Sequence, residues 1–127
     1  MYTDMDGMFR ILMYRNRRGD RPVEEYILSQ EPRYRRKIYA SLELLSQEGP
    51  NLRRPYADVV EGPIRELRIG WGRVEHRILY YFALRETIVL LHAFTKKTQE
   101  VPRRDMDMAR ERMKELIWRM ASGEVLP

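Results

Sequence analysis

Between Tyr34 and Leu45 the apolar residues Tyr34, Ile38, Leu42 and Leu45 recur at spacings of 4, 4 and 3. That is the period of a helix burying one stripe, and it predicts a helix from Pro32 to about Glu48. Gly49-Pro50 closes it: glycine supplies the cap and proline forbids continuation. A second helical period follows Pro102, where Met106, Ala109, Met113, Leu116, Ile117 and Met120 form the inner stripe of a helix running to about Ala121. Ser122-Gly123 ends it. A shorter helix is predicted over Pro22–Leu28, with Asp20 as its cap and Val23, Tyr26 and Ile27 facing inward.

The period changes to two elsewhere. Phe9–Tyr14 is a short apolar run that ends in the loop 15–20, and it reads as a first strand. Pro50, Pro55, Gly62 and Pro63 mark residues 50–63 as a loop. Three strands follow, at Ile64–Ile69, Val74–Phe82 and Thr87–Phe94, with connections of hairpin length that predict antiparallel pairing. In the middle strand Val74, His76, Ile78, Tyr80 and Phe82 share one face, and Glu75, Arg77, Leu79 and Tyr81 share the other. The third strand is apolar on both faces, as a central strand is. The expected order is β-α-α-β-β-β-α, an α+β fold with a small, antiparallel-dominated sheet and helices packed on it. At 127 residues the chain is expected to form a single domain, 1–127.

Charge sharpens this picture. Residues 63–98 hold seven bases against three acids, a net of +4 out of the chain's formal +5. The excess is therefore concentrated on the three-stranded meander, and a positive field on one sheet suits a polyanion. Twenty of the 24 bases are arginine, whose planar fork takes phosphate oxygens two at a time. The same bias also arises from a GC-rich genome. With no cysteine, disulfides and thiolate chemistry are excluded. No apolar run approaches the roughly 20 residues of a membrane span, and the start MYTDMDGMFR lacks a signal-peptide core. The expected location is the cytoplasm.

The sequence offers no zinc spacing, phosphate loop, nucleophile elbow or dinucleotide fingerprint, and no cofactor or metal is expected. His76 and His92 have no cysteine companions. Arg77 is the most informative residue, because a guanidinium amid apolar strand neighbours needs a partner. Two readings stand: an ion pair with Glu75, two positions back on the same face, or a clamp on a phosphate whose charge grows in a transition state. Arg65 and Arg68 lie on the neighbouring strand, but their opposite parity keeps both from pointing the same way. His92, Phe94 and Lys96 share a parity. They line one surface if the strand persists that far, as an imidazole, a stacking ring and an ammonium for RNA. The alternative is a buried histidine, a core phenylalanine and solvent lysines.

The runs Glu66-Leu67-Arg68, Arg77-Ile78-Leu79-Tyr80-Tyr81 and Leu91-His92-Ala93-Phe94-Thr95-Lys96-Lys97-Thr98, with Pro102, Asp107 and Ala109 beyond them, resemble the HigB-type, phage-related toxins of the RelE/ParE superfamily. The resemblance covers essentially the whole domain. It implies a RelE-like fold and the toxin of a type II toxin–antitoxin system, partnered by a helix-turn-helix antitoxin, that cuts mRNA on the translating ribosome. By the same resemblance Arg77 contacts the scissile phosphate. Lys96 and Lys97 supply basic residues after the next strand, and Arg65 and Arg68 those before the first hairpin. Better-studied RelE members use a tyrosine near the start of the final helix, where this chain has Val101-Pro102-Arg103.

The expected reaction is 2′-hydroxyl attack on the adjacent phosphate with loss of the 5′-oxygen. Arg77, Lys96 and His92 are its expected catalytic groups, and Arg65, Arg68, Arg73, Phe94 and Lys97 its RNA contacts. Arginine is a poor base, with a pKa above about 12. That leaves His92, a lysine or a ribosomal group to move the proton. A degenerate toxin, a non-catalytic RNA-binding regulator and a gyrase inhibitor on the same scaffold remain alternatives.

Overall fold

A computed structural model describes residues 8–97 and 100–124. Thr98 of the family-like motif and residues 1–7 of the N-terminal segment lie outside them. Strand β1 (Arg10–Met13) leads into α1 (Pro22–Leu28) and α2 (Pro32–Glu48), which ends in one 3-10 turn, Gly49–Asn51. Then come β2 (Ala57–Glu61), β3 (Ile64–Trp71), β4 (Val74–Leu84), β5 (Thr87–Lys96) and α3 (Arg103–Ala121). The five strands form one sheet in the order β1-β5-β4-β3-β2. Only β1 pairs parallel, against β5. The architecture is α+β with a mixed sheet.

The order differs from expectation by one strand. Residues 57–61 are not loop but β2, antiparallel to β3 through a two-residue turn at Gly62-Pro63. Its pairing with β3 holds it there, because as an edge strand it leaves Val59 exposed and shows little apolar alternation.

Helices α1 and α2 cover one face of the sheet. Val23, Ile27, Ile38, Leu42 and Leu45 pack there on Ile11, Leu67, Ile78, Tyr80 and Ile88. Helix α3 covers the other face, setting Met106, Ala109, Met113 and Leu116 on Leu79, Tyr81, Val89 and Leu91. Ile117 is not part of that stripe. The buried positions advance by 3, 4 and 3 residues from Met106 to Leu116, and Ile117, one residue further, turns outward to 49% exposure. Asp20 does not cap α1 either. It pairs with Asn16, whose side-chain oxygen accepts the backbone N–H groups of Arg18 and Asp20 and so builds the preceding turn.

Two local features shape the ends and faces of the sheet. Gly49 has φ +53°, and a Cβ there would lie 2.2 Å from the Phe9 ring, so the end of α2 admits only glycine without rearrangement. In β5 the register jumps from Leu79↔His92 to Tyr80↔Leu90, leaving Leu91 unpaired as a bulge. The extra residue reverses the alternation. Ile88 and Leu90 face α1 and α2, whereas His92, Phe94 and Lys96 stand opposite Leu79, Arg77 and Glu75 on the α3 side.

Candidate functional site

The pairing of β3, β4 and β5 puts Arg68, Arg77 and Phe94 side by side on the α3 face. Arg77 is only 6% exposed, and its neighbour Glu66 only 4%. Arg77 Nε lies 3.2 Å from Glu66 Oε1, as an ion pair off the hydrogen-bond line. Its Nη2 donates to Glu75 Oε1 at 2.6 Å, and its Nη1 to the His76 carbonyl at 3.2 Å. Glu66 Oε2 in turn accepts from Arg68 at 3.1 Å, and Arg68 reaches Asp58, which also holds Arg54. Those bonds, the one from Arg54 first, hold the Asp58 carboxyl below the usual carboxylate range. The buried guanidinium is thus one link in a chain of alternating charges across β4, β3 and β2, which offsets the cost of burying it.

Of the two sequence readings of Arg77, the ion pair with Glu75 is present. Arg77 also lines a cleft of about 540 Å³ at the end of the β4–β5 hairpin. Arg73, Lys96, Lys97, Glu75 and Thr95 line the same cleft. Among the described residues four cations there face one carboxylate, a built concentration of positive charge in a concave space. Lys96 also borders a second cleft, of about 490 Å³, with Arg68, Arg103 and Glu66 at the N-terminal end of α3. Strand β5 does persist to Lys96, so the shared parity of His92, Phe94 and Lys96 holds.

Their exposures differ, however. Helix α3 packs over the first two, so Lys96 alone of the three lines the clefts. His92 lies 2.7 Å from Asp105 through Nε2 and 3.2 Å from Arg112 through Nδ1. Arginine can only donate, so Nδ1 accepts and Nε2 carries the proton towards Asp105. Burial pushes the His92 pKa down, against the opposing pull of Asp105. The ring stacks on Phe94, with centroids 5.7 Å apart. His92 and Phe94 therefore fasten α3 to the sheet, and the expected exposed imidazole and stacking ring are absent from these two clefts. Arg65 is also placed apart. It points to the opposite face, over the Phe82 ring, and donates to the Pro50 carbonyl.

Sequence reasoning missed three contributors. Asp105 and Arg112 lie on α3, and only the packing of that helix brings them to His92. Behind the cleft, Tyr26 of α1 bonds His76 Nδ1 at 2.6 Å and Thr95 at 2.8 Å. The His76 pKa is lowered by burial. Its inward parity was legible, but its partner on α1 was not. Among the described residues no cluster of three or more metal-ligating side chains exists, and no helix is long and apolar enough to cross a membrane.

The protein-family model described as "Phage derived protein Gp49-like (DUF891)" matches residues 25–114. The match takes in both clefts, and the chain belongs to this family of RelE/HigB-like toxins of toxin–antitoxin systems, which implies an antitoxin partner. No curated protein matches the chain significantly.

Proposed function

We propose that this Gp49-like protein is a HigB-type, ribosome-dependent mRNA endoribonuclease, silenced by a helix-turn-helix antitoxin. The observation that carries the proposal is the cleft where Arg77, Arg73, Lys96 and Lys97 converge. RNA brings its own nucleophile, so the protein needs to orient the 2′-hydroxyl, receive its proton and stabilise the pentavalent phosphorus. Arg77 enters that role pre-positioned: Glu66 and the His76 carbonyl hold its fork from behind, so little reorganisation accompanies the reaction. Lys96, opposite Glu75 in the register, adds a mobile positive charge at the same phosphate. Arg73 and Lys97 at the rim bind the flanking backbone without reading sequence.

The test is direct. Purified protein, translating ribosomes and end-labelled mRNA are expected to give discrete cuts within the translated region, which disappear when antitoxin is added. Intact mRNA from a folded preparation would instead favour a non-catalytic binder, in which Arg77 is no more than the partner of Glu66 and Glu75.

A further inference from the structure

The cleft has cations in excess and no exposed imidazole, yet 2′-hydroxyl attack requires somewhere for a proton to go. Among the described residues Glu75 is the one carboxylate that lines it. Its side chain is 53% exposed, whereas that of Glu66, the other partner of Arg77, is 5% exposed and also tied to Arg68. The two acids therefore have different tasks. Glu66 holds Arg77 from the protein interior, and Glu75 meets it from the solvent side. Among the described residues Glu75 Oε2 has no partner, while Oε1 occupies Arg77 Nη2 at 2.6 Å. A phosphate oxygen entering the cleft competes for that same Nη2. The carboxylate it displaces is left beside the bound phosphate, within reach of the ribose attached to it.

We infer that Glu75 is the general base of the cleavage reaction, a role that rests on the endoribonuclease reading. The 2′-O–H proton passes to a Glu75 carboxylate oxygen as the 2′-oxygen bonds to phosphorus. The P–O5′ bond then breaks, and the departing 5′-oxygen takes a proton from the Lys96 ammonium or from water. The products are a 2′,3′-cyclic phosphate and a 5′-hydroxyl, with no oxidant, reductant or metal required. Neither arginine of the cleft can accept the proton, and His92 has both ring nitrogens engaged under α3.

The experiment measures single-turnover cleavage on ribosomes programmed with labelled mRNA, using the full chain. Glu75→Gln keeps the shape and an acceptor for Arg77 but cannot take a proton. It is expected to slow cleavage about a hundredfold or more, with ribosome affinity and melting temperature close to wild type. Glu75→Ala is expected to slow equally and to recover in added formate, a small carboxylate that fits the vacated space, whereas Arg77→Ala does not recover. If the wild type cuts and Glu75→Gln cuts within a few-fold of it, the inference falls and the nuclease reading stands. A slow Glu75→Ala protein that formate cannot rescue assigns Glu75 to holding Arg77 and likewise overturns the inference. A folded wild type that does not cut removes both.

Discussion

On the proposed nuclease reading Arg77 joins stability and chemistry in one side chain, and the two can be separated. Removing it strands Glu66, 4% exposed, with Arg68 on one oxygen and, among the described residues, nothing on the other. Breaking a buried ion pair in this way costs on the order of 3–5 kcal/mol. Arg77→Ala is therefore expected to melt well below wild type as well as to lose cleavage. The loss of a pre-positioned charge at the phosphate is worth roughly 3–4 kcal/mol in the transition state, a hundred- to thousandfold in rate. Adding Glu66→Gln to Arg77→Ala neutralises the orphaned carboxylate. The double variant is expected to regain much of the lost melting temperature while cleavage stays abolished. Recovery of both together would make Arg77 structural only. Gly49→Ala tests a different limit, because both its positive φ and the Phe9 ring oppose a methyl group. About 1–3 kcal/mol of destabilisation is expected in denaturant melts, with cleavage per folded molecule unchanged.

At the scale of elements, each helical layer is fastened to the sheet by a histidine. His76 bonds Tyr26 of α1, and His92 bonds Asp105 and Arg112 of α3. Burial lowers both imidazole pKa values from the ordinary 6.5. The unfolded chain therefore binds more protons than the folded one as pH falls past about 6.5. Stability contributed by these groups is present above that pH and lost progressively below it, down through their folded values. The carboxylate Asp58, also depressed, adds its loss only below its ordinary 3.8. Melting temperature is thus expected to fall between pH 7 and pH 5, and the fall should shrink in a His76→Gln variant. A flat profile over that interval would contradict the assignment.

What the sequence made legible also divides by element. Helical stripes announce themselves because one chain segment carries the whole signal, as Ile38, Leu42 and Leu45 do. Arg77 and Glu75 share a face by simple alternation. The pairing of Arg77 with Glu66 depends on hairpin register, and the placing of Phe94 opposite Arg77 depends on a bulge at Leu91 that one strand's composition does not reveal. Strand β2 was illegible because its neighbour β3, rather than its own apolar pattern, holds it in the sheet.

For the molecule as a whole, the local +4 of residues 63–98 becomes a directed charge only through folding. Arg65 leaves for the α2 face, and Arg68 and Arg77 are neutralised by Glu66, Glu75 and Asp58. Arg73, Lys96 and Lys97 remain at the cleft without a carboxylate bonded to them among the described residues. Each such cation that meets a phosphate of single-stranded RNA releases about 0.7 of a counterion. Three of them predict a slope of about −2 for the logarithm of the binding constant against the logarithm of salt concentration. Engagement of Arg77 with a fourth phosphate would steepen it towards about −3. The pair Arg73→Ala with Lys97→Ala should flatten the wild-type slope by about 1.4, while Arg65→Ala should leave it unchanged. Fluorescence titrations of a short RNA over a range of salt concentrations measure all three slopes. An Arg65→Ala protein that flattens the slope as much as the double variant would move RNA to the opposite face of the sheet, away from Arg77.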